Sequence, residues 1–181
     1  MPVHVVPVPL AVWAVLAACA VAVITDLRAR RIPNILTAAL ALGALGAAVA
    51  AGPTALIVAI ATLLGVTVLG FVAFSMHWLG GGDVKLLAAS AAMLGFPDSL
   101  SFLLYTAIGG GVFALLYALG SGRLRAVLTS VALVVRPLVY KGTRSVAPTR
   151  TTKLPYAVAI AIGAVAVALS HTAVPFLKLA L

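Results

Sequence analysis

Three side chains in this 181-residue sequence carry a carboxylate, Asp26, Asp83 and Asp98, and there is no glutamate. Two carboxylates brought together can share the work of hydrolysis. One, ionised, takes a proton from water, while the other, protonated, polarises the carbonyl under attack. Like charges at close range push the two proton affinities apart and favour that one-proton state. The other chemistry-bearing residues are sparse. Cys19 lies in an apolar run and has no partner for a disulfide or a CxxC zinc pair. Its context, Leu16-Ala17-Ala18-Cys19, resembles a lipoprotein cleavage box, but residues 1–18 lack the Lys or Arg of an export signal. Cys19 is read as a buried hydrophobe. His4, His77 and His171 are scattered along the chain, so no metal site and no cofactor are expected.

The elements that must position these residues are membrane spans. The chain is 64% hydrophobic and 8% charged, against about 25% charged in ordinary soluble domains. Such a composition excludes both a soluble fold and disorder. With about 20 residues per span, the apolar runs predict six transmembrane helices at about 8–25, 35–51, 54–76, 84–96, 100–119 and 154–174. The expected fold class is all-α, a single integral-membrane domain over 1–181. Segment 120–153 is basic, and its apolar middle, 126–140, is expected to lie on the membrane surface as an interfacial helix. Pro33 and Asn34 read as helix-start chemistry for the second span.

Charge then orients the spans. Eleven of the twelve Lys and Arg residues, all but Lys178, fall in the loops after the first, third and fifth spans. By the positive-inside rule those loops are cytoplasmic and both termini face out. The net charge, 12 − 3 = +9, is thereby explained by topology and by anionic lipid headgroups. No aromatic–basic interleaving suggests nucleic acid. Asp98, in the outer turn Phe96-Pro97-Asp98-Ser99, reads as a helix cap. Asp26 and Asp83 fall together on the cytoplasmic side, where an ionisable residue at membrane depth marks a functional site. Asp83 follows Gly80-Gly81-Gly82 and opens a short span: Asp83 to Phe96 is 14 residues, about 21 Å of helix against a hydrocarbon layer of about 30 Å. The glycines are expected to allow close approach of another backbone and unusual φ/ψ. Asp83 at a helix N-terminus is favoured as the anion and hence the base, with Asp26 as the acid, although a coupled pair titrates as a unit.

Two segments carry a resemblance. Asp26-Leu27-Arg28-Ala29-Arg30-Arg31-Ile32-Pro33-Asn34 is similar to the first catalytic-aspartate region of the type IV prepilin peptidases. Gly80-Gly81-Gly82-Asp83-Val84-Lys85-Leu86 resembles their GxGD motif with its trailing lysine, and Leu154-Pro155-Tyr156 the Pro-Tyr segment before their last span. The resemblance implies an aspartyl endopeptidase of the bacterial cytoplasmic membrane with a cytosol-facing site. Its substrate would be a prepilin, pseudopilin or Flp-type pilin, cut after a Gly at the end of a short basic leader. Asp26 and Asp83 would be the catalytic pair, with Gly80, Gly81, Gly82, Lys85, Pro33 and Asn34 binding substrate or shaping the site. Lys85 is read either as orienting Asp83 or touching a substrate carbonyl, or as a topology anchor. Arg28, Arg30 and Arg31 are read as topology anchors. The chain starts at the first span with one Cys, so the zinc-bearing extra domain and N-methylation of the larger relatives are not expected; it resembles the short, peptidase-only form. Nothing in the pattern sets an oligomeric state. Three other readings compete. A proton-coupled transporter predicts internal symmetry, and none is evident. A non-catalytic pilus scaffold would be expected to lose one Asp. A presenilin-like protease usually has Tyr before its first Asp, where this chain has Thr25.

Overall fold

The structure, a computed structural model, describes residues 3–5, 7–76, 78–120 and 156–172. Among them are six helices: α1 (Val8–Ala29), α2 (Asn34–Ala51), α3 (Pro53–Ser75), α4 (Gly81–Leu94), α5 (Asp98–Gly120) and α6 (Tyr156–Thr172). α1, α2, α3 and α5 are long and apolar enough to cross a bilayer, and α6 is a shorter apolar helix. The chain is therefore an all-helical polytopic membrane protein. The expected interfacial helix at 126–140 and most of the basic segment lie outside the described residues. The chain divides into two compact units, residues 1–110 with 155–181, and residues 111–154. The second is described only over 111–120, the last turns of α5; the packing and the candidate site belong to the first.

Local chemistry sets the helix ends. Pro9 stands in the first turn of α1, where its missing N–H leaves no bond unmade. α1 runs past the expected end of its span at residue 25, because nothing there breaks it. The Thr25 hydroxyl donates back to Val21 O at 2.9 Å and Ala22 O at 3.0 Å, so the helix continues through Asp26 to Ala29. Arg30 then turns it off with a left-handed φ of 50°, its N–H on Asp26 O at 2.8 Å. Pro33 is extended and immediately precedes α2. A single residue, Gly52, joins α2 to α3 at φ 117° and ψ 175°, a region open essentially to glycine alone.

α4 is the centre of the bundle and packs against α1, α2, α3 and α6. Leu86, Ala88, Ala89, Ser90, Ala91 and Ala92 are buried, as expected for a helix apolar on all sides. Small residues make this enclosure possible. α3 turns Ala55, Ala59, Val66 and Gly70 inward while Ile57, Leu64, Val68 and Phe71 remain exposed. The large apolar side chains face lipid and the small ones admit a neighbouring helix, the usual division in membrane bundles. A Cβ on Gly70 would stand 2.6 Å from Val84 Cγ1, so α3 and α4 touch almost backbone to side chain. α5 and α6 meet similarly: a Cβ on Gly109 would lie 2.7 Å from Ile162 Cγ2, and one on Gly163 would strike the Thr106 hydroxyl.

At the end of the bundle away from Asp83, the segment at residues 3–5 docks on the α4–α5 turn. Val3 N–H donates to Phe96 O at 2.8 Å and Phe96 N–H to Val3 O at 3.1 Å. Gly95, at φ 73°, lets the two segments approach, since a Cβ there would sit 2.6 Å from Val3 O. The Phe96–Pro97 peptide is cis. Asp98 opens α5 as expected and is buried, but its carboxylate does more than serve a helix start. Oδ2 lies 3.0 Å from His171 Nε2 and 3.8 Å from His4 Nδ1. Two of the histidines that look scattered in the sequence therefore converge on one carboxylate, because α1, α4 and α6 pack side by side and bring their flanking residues together. His77 lies outside the described residues.

Candidate active site

Asp26 and Asp83 come from different helices running in opposite directions. Asp26 sits in the last turn of α1 and Asp83 in the first turn of α4, and α1 packs on α4. Both carboxylates are half-buried. The packing of α1 on α4 brings both aspartates to the same end of the bundle. Among the described residues neither pairs with a lysine or arginine; the ion pairs there are those of Asp98.

The glycine motif acts through space rather than through special backbone angles. Gly80 is extended at φ −78°, and neither Gly81 nor Gly82 has a positive φ, which corrects the expectation of unusual φ/ψ. Gly80 N–H donates to Asp83 Oδ2 at 3.1 Å, and a Cβ on Gly80 would stand 2.7 Å from the same oxygen. A Cβ on Gly82 would lie 3.1 Å from Ile32 Cβ. Gly81 differs: a Cβ there would meet Phe74 Cε2 at an ordinary 3.7 Å. A side chain at the first or third glycine would thus press on Asp83 or Ile32, whereas one at the middle glycine would meet only an ordinary contact.

The connection between α1 and α2 lies over α4. Ile32 packs on Gly82, and two residues later Lys85 Nζ donates to Asn34 Oδ1 at 3.1 Å. Lys85 reaches neither Asp26 nor Asp83 as an ion pair, since residues two apart on a helix point in different directions. Pro33 holds the extended backbone between these two contacts. Of the residues singled out in the sequence, Gly80 touches Asp83, Gly82 meets Ile32, Lys85 bonds Asn34, and Pro33 lies between the last two contacts.

Tyr156, the first residue of α6, joins the site from a direction the sequence points to only through its Pro-Tyr segment. It is half-buried, and the charge of Asp83 acts on its hydroxyl. Its ring edge lies where a Cβ on Gly110 would meet it, with the hydroxyl at 3.5 Å. No His/Cys/Asp/Glu cluster able to hold a metal occurs among the described residues.

No curated protein and no solved structure matches the chain. A family model does: that of the type IV leader peptidase family matches residues 13–115, a stretch that holds both Asp26 and Asp83 together with the glycine motif. With more than half of its length matched and its two bundle-end aspartates inside the match, the chain belongs to the type IV leader peptidase family.

Proposed function

We propose that this protein is an aspartyl endopeptidase that removes the leader of type IV prepilins, or related Flp-type pilins, at the cytoplasmic face of the bacterial inner membrane. The observation that carries this reading is the placement of Asp26 in the last turn of α1 and Asp83 in the first turn of α4, two packed helices, at one end of the bundle with no lysine or arginine ion pair to either among the described residues. Membership of a leader peptidase family supports peptidase chemistry. Arg28, Arg30, Arg31 and Lys85 lie at the same end as the aspartates and support its cytoplasmic placement by the positive-inside rule.

In the proposed reaction one carboxylate is ionised and one protonated. The ionised member takes a proton from water as the water oxygen attacks the scissile carbonyl carbon, and the protonated member donates a hydrogen bond to the carbonyl oxygen. Collapse of the tetrahedral intermediate breaks the C–N bond, with a proton passing to the leaving amine. The helix dipole at the first turn of α4 and the Gly80 N–H favour the anion of Asp83, but the two carboxylates titrate as a unit, so the base and acid roles belong to the pair rather than to one named member. The partners are the pilin precursor and the surrounding lipids, and no cofactor enters the chemistry. The test is co-expression of a small prepilin with the wild type, Asp26→Asn and Asp83→Asn, following the leader by mass. Each variant should leave the precursor uncut; full cleavage by either would overturn the catalytic pair.

A further inference from the structure

The two residues that bracket Asp83 in α4 both hold the segment that follows Asp26. Gly82, just before Asp83, receives Ile32, and Lys85, two residues after it, donates to Asn34. Asp26 is joined to these contacts by a short tether: the last turn of α1, the left-handed Arg30 and the extended Pro33. Besides the direct packing of α1 on α4, residues 30–34 thus provide a second link between Asp26 and the first turn of α4. Ile32 against Gly82 limits approach, because the packing there is already close. The Asn34–Lys85 bond limits retreat.

We propose that Asn34 and Lys85 form a positioning pair that fixes Asp26 relative to Asp83, acting on turnover rather than on substrate binding; this rests on the peptidase reading above. The choice of partner fits that role. Asn34 offers Lys85 a neutral oxygen, so the ammonium is held at the start of α4 without an ion pair to either aspartate. A carboxylate at position 34 would add a second negative charge beside a pair that functions with a single proton. Both Asn34 and Lys85 are exposed, so their bond adds little to global stability. Its consequence is local, in the alignment of reacting groups, to which rates are steeply sensitive.

The test uses the full chain in lipid–detergent micelles and a prepilin peptide with a basic leader, a Gly at the cleavage position and an apolar segment after it. Asn34→Ala and Lys85→Met should each lower kcat by about tenfold and leave KM within about twofold. The double variant should be no slower than the slower single, as coupled residues behave. The exchanged pair, Asn34→Lys with Lys85→Asn, should recover most of the rate. Amide hydrogen exchange over residues 27–34 should quicken in both singles and return to the wild-type pattern in the exchanged pair. A raised KM with unchanged kcat would make these residues substrate contacts and overturn the proposal, as would independent, multiplicative losses. Unchanged exchange in both singles would overturn it whatever the cleavage data. If Asp26→Asn cut as fast as the wild type, the peptidase reading would fall, while the exchange measurement would still decide whether the pair fastens the segment.

Discussion

Asp83 Oδ2 accepts the N–H of Gly80 at 3.1 Å, and a Cβ at Gly80 would lie 2.7 Å from that same oxygen. The glycine thus donates to the carboxylate and leaves it room. In Gly80→Ala the carboxylate can swing aside at small steric cost, since it ends a side chain, but only by giving up the bond that orients it. Cleavage by Gly80→Ala is expected to fall by about 10- to 100-fold with little change in thermal midpoint. Gly82→Ala presses on Ile32, where the new contact would be 3.1 Å, and is expected to cost about three- to tenfold by shifting the 30–34 segment. Gly81→Ala, with only an ordinary contact to Phe74 and a helix-favouring residue in the first turn of α4, should show the smallest loss of the three. Steady-state cleavage of one prepilin by the three variants checks the order. Gly81→Ala as the worst of them would overturn this reading of the motif.

Much of this arrangement is legible in the sequence. Asp26, Asp83 and the six apolar runs follow from composition and span length, because bilayer thickness imposes a length on each helix and charge is costly inside it. The short run is indeed a short helix, although it starts two residues before Asp83 and ends at Leu94 rather than Phe96. The rest depends on lateral packing, which leaves no periodic trace. Asn34 and Lys85 are 51 residues apart, and nothing near either predicts the other. Tyr156 reaches the neighbourhood of Asp83 because α6 packs beside α4. The continuation of α1 through Asp26 is hidden by its polar sequence, which reads as a loop until the Thr25 hydroxyl is seen bonded within the helix.

Gly70 and Val84 give a prediction about how the scaffold supports the site. Val84 adjoins Asp83, and a Cβ on Gly70 would stand 2.6 Å from its Cγ1 and 3.2 Å from its Cγ2. Val84 is buried and β-branched, so it has little rotamer freedom with which to yield. Gly70→Ala should therefore push α4 from α3, lowering stability by about 1–3 kcal/mol, as overpacking does, and slowing cleavage with it. Val84→Ala alone leaves a void. Combined, Gly70→Ala and Val84→Ala exchange bulk across the contact and should restore both midpoint and rate towards wild type. Thermal unfolding and cleavage of the three variants in the same micelles provide the check. A double variant as damaged as the sum of the singles would mean that steric fit at this contact does not govern the position of Asp83.

Asp98 provides the control at the opposite end. The 11 helical residues of α4 beyond Asp83, up to Leu94, separate it from Asp83 by about 16 Å of helix, too far for a carboxylate to join the water-activating pair. Its Oδ2 instead ties the segment around His4 and the end of α6, through His171 at 3.0 Å, to the start of α5. Asp98→Asn should cleave a prepilin at close to the wild-type rate, in contrast to Asp26→Asn and Asp83→Asn. It should nevertheless unfold earlier on heating. His171 is partly exposed, which screens the contact, so the loss is expected to be about 1 kcal/mol. His171→Ala should lower the midpoint similarly, and the double variant little further, because both remove one interaction. A catalytic defect in Asp98→Asn with an unchanged midpoint would reverse the assignment, making the outer cluster part of the chemistry rather than a fastening of the fold.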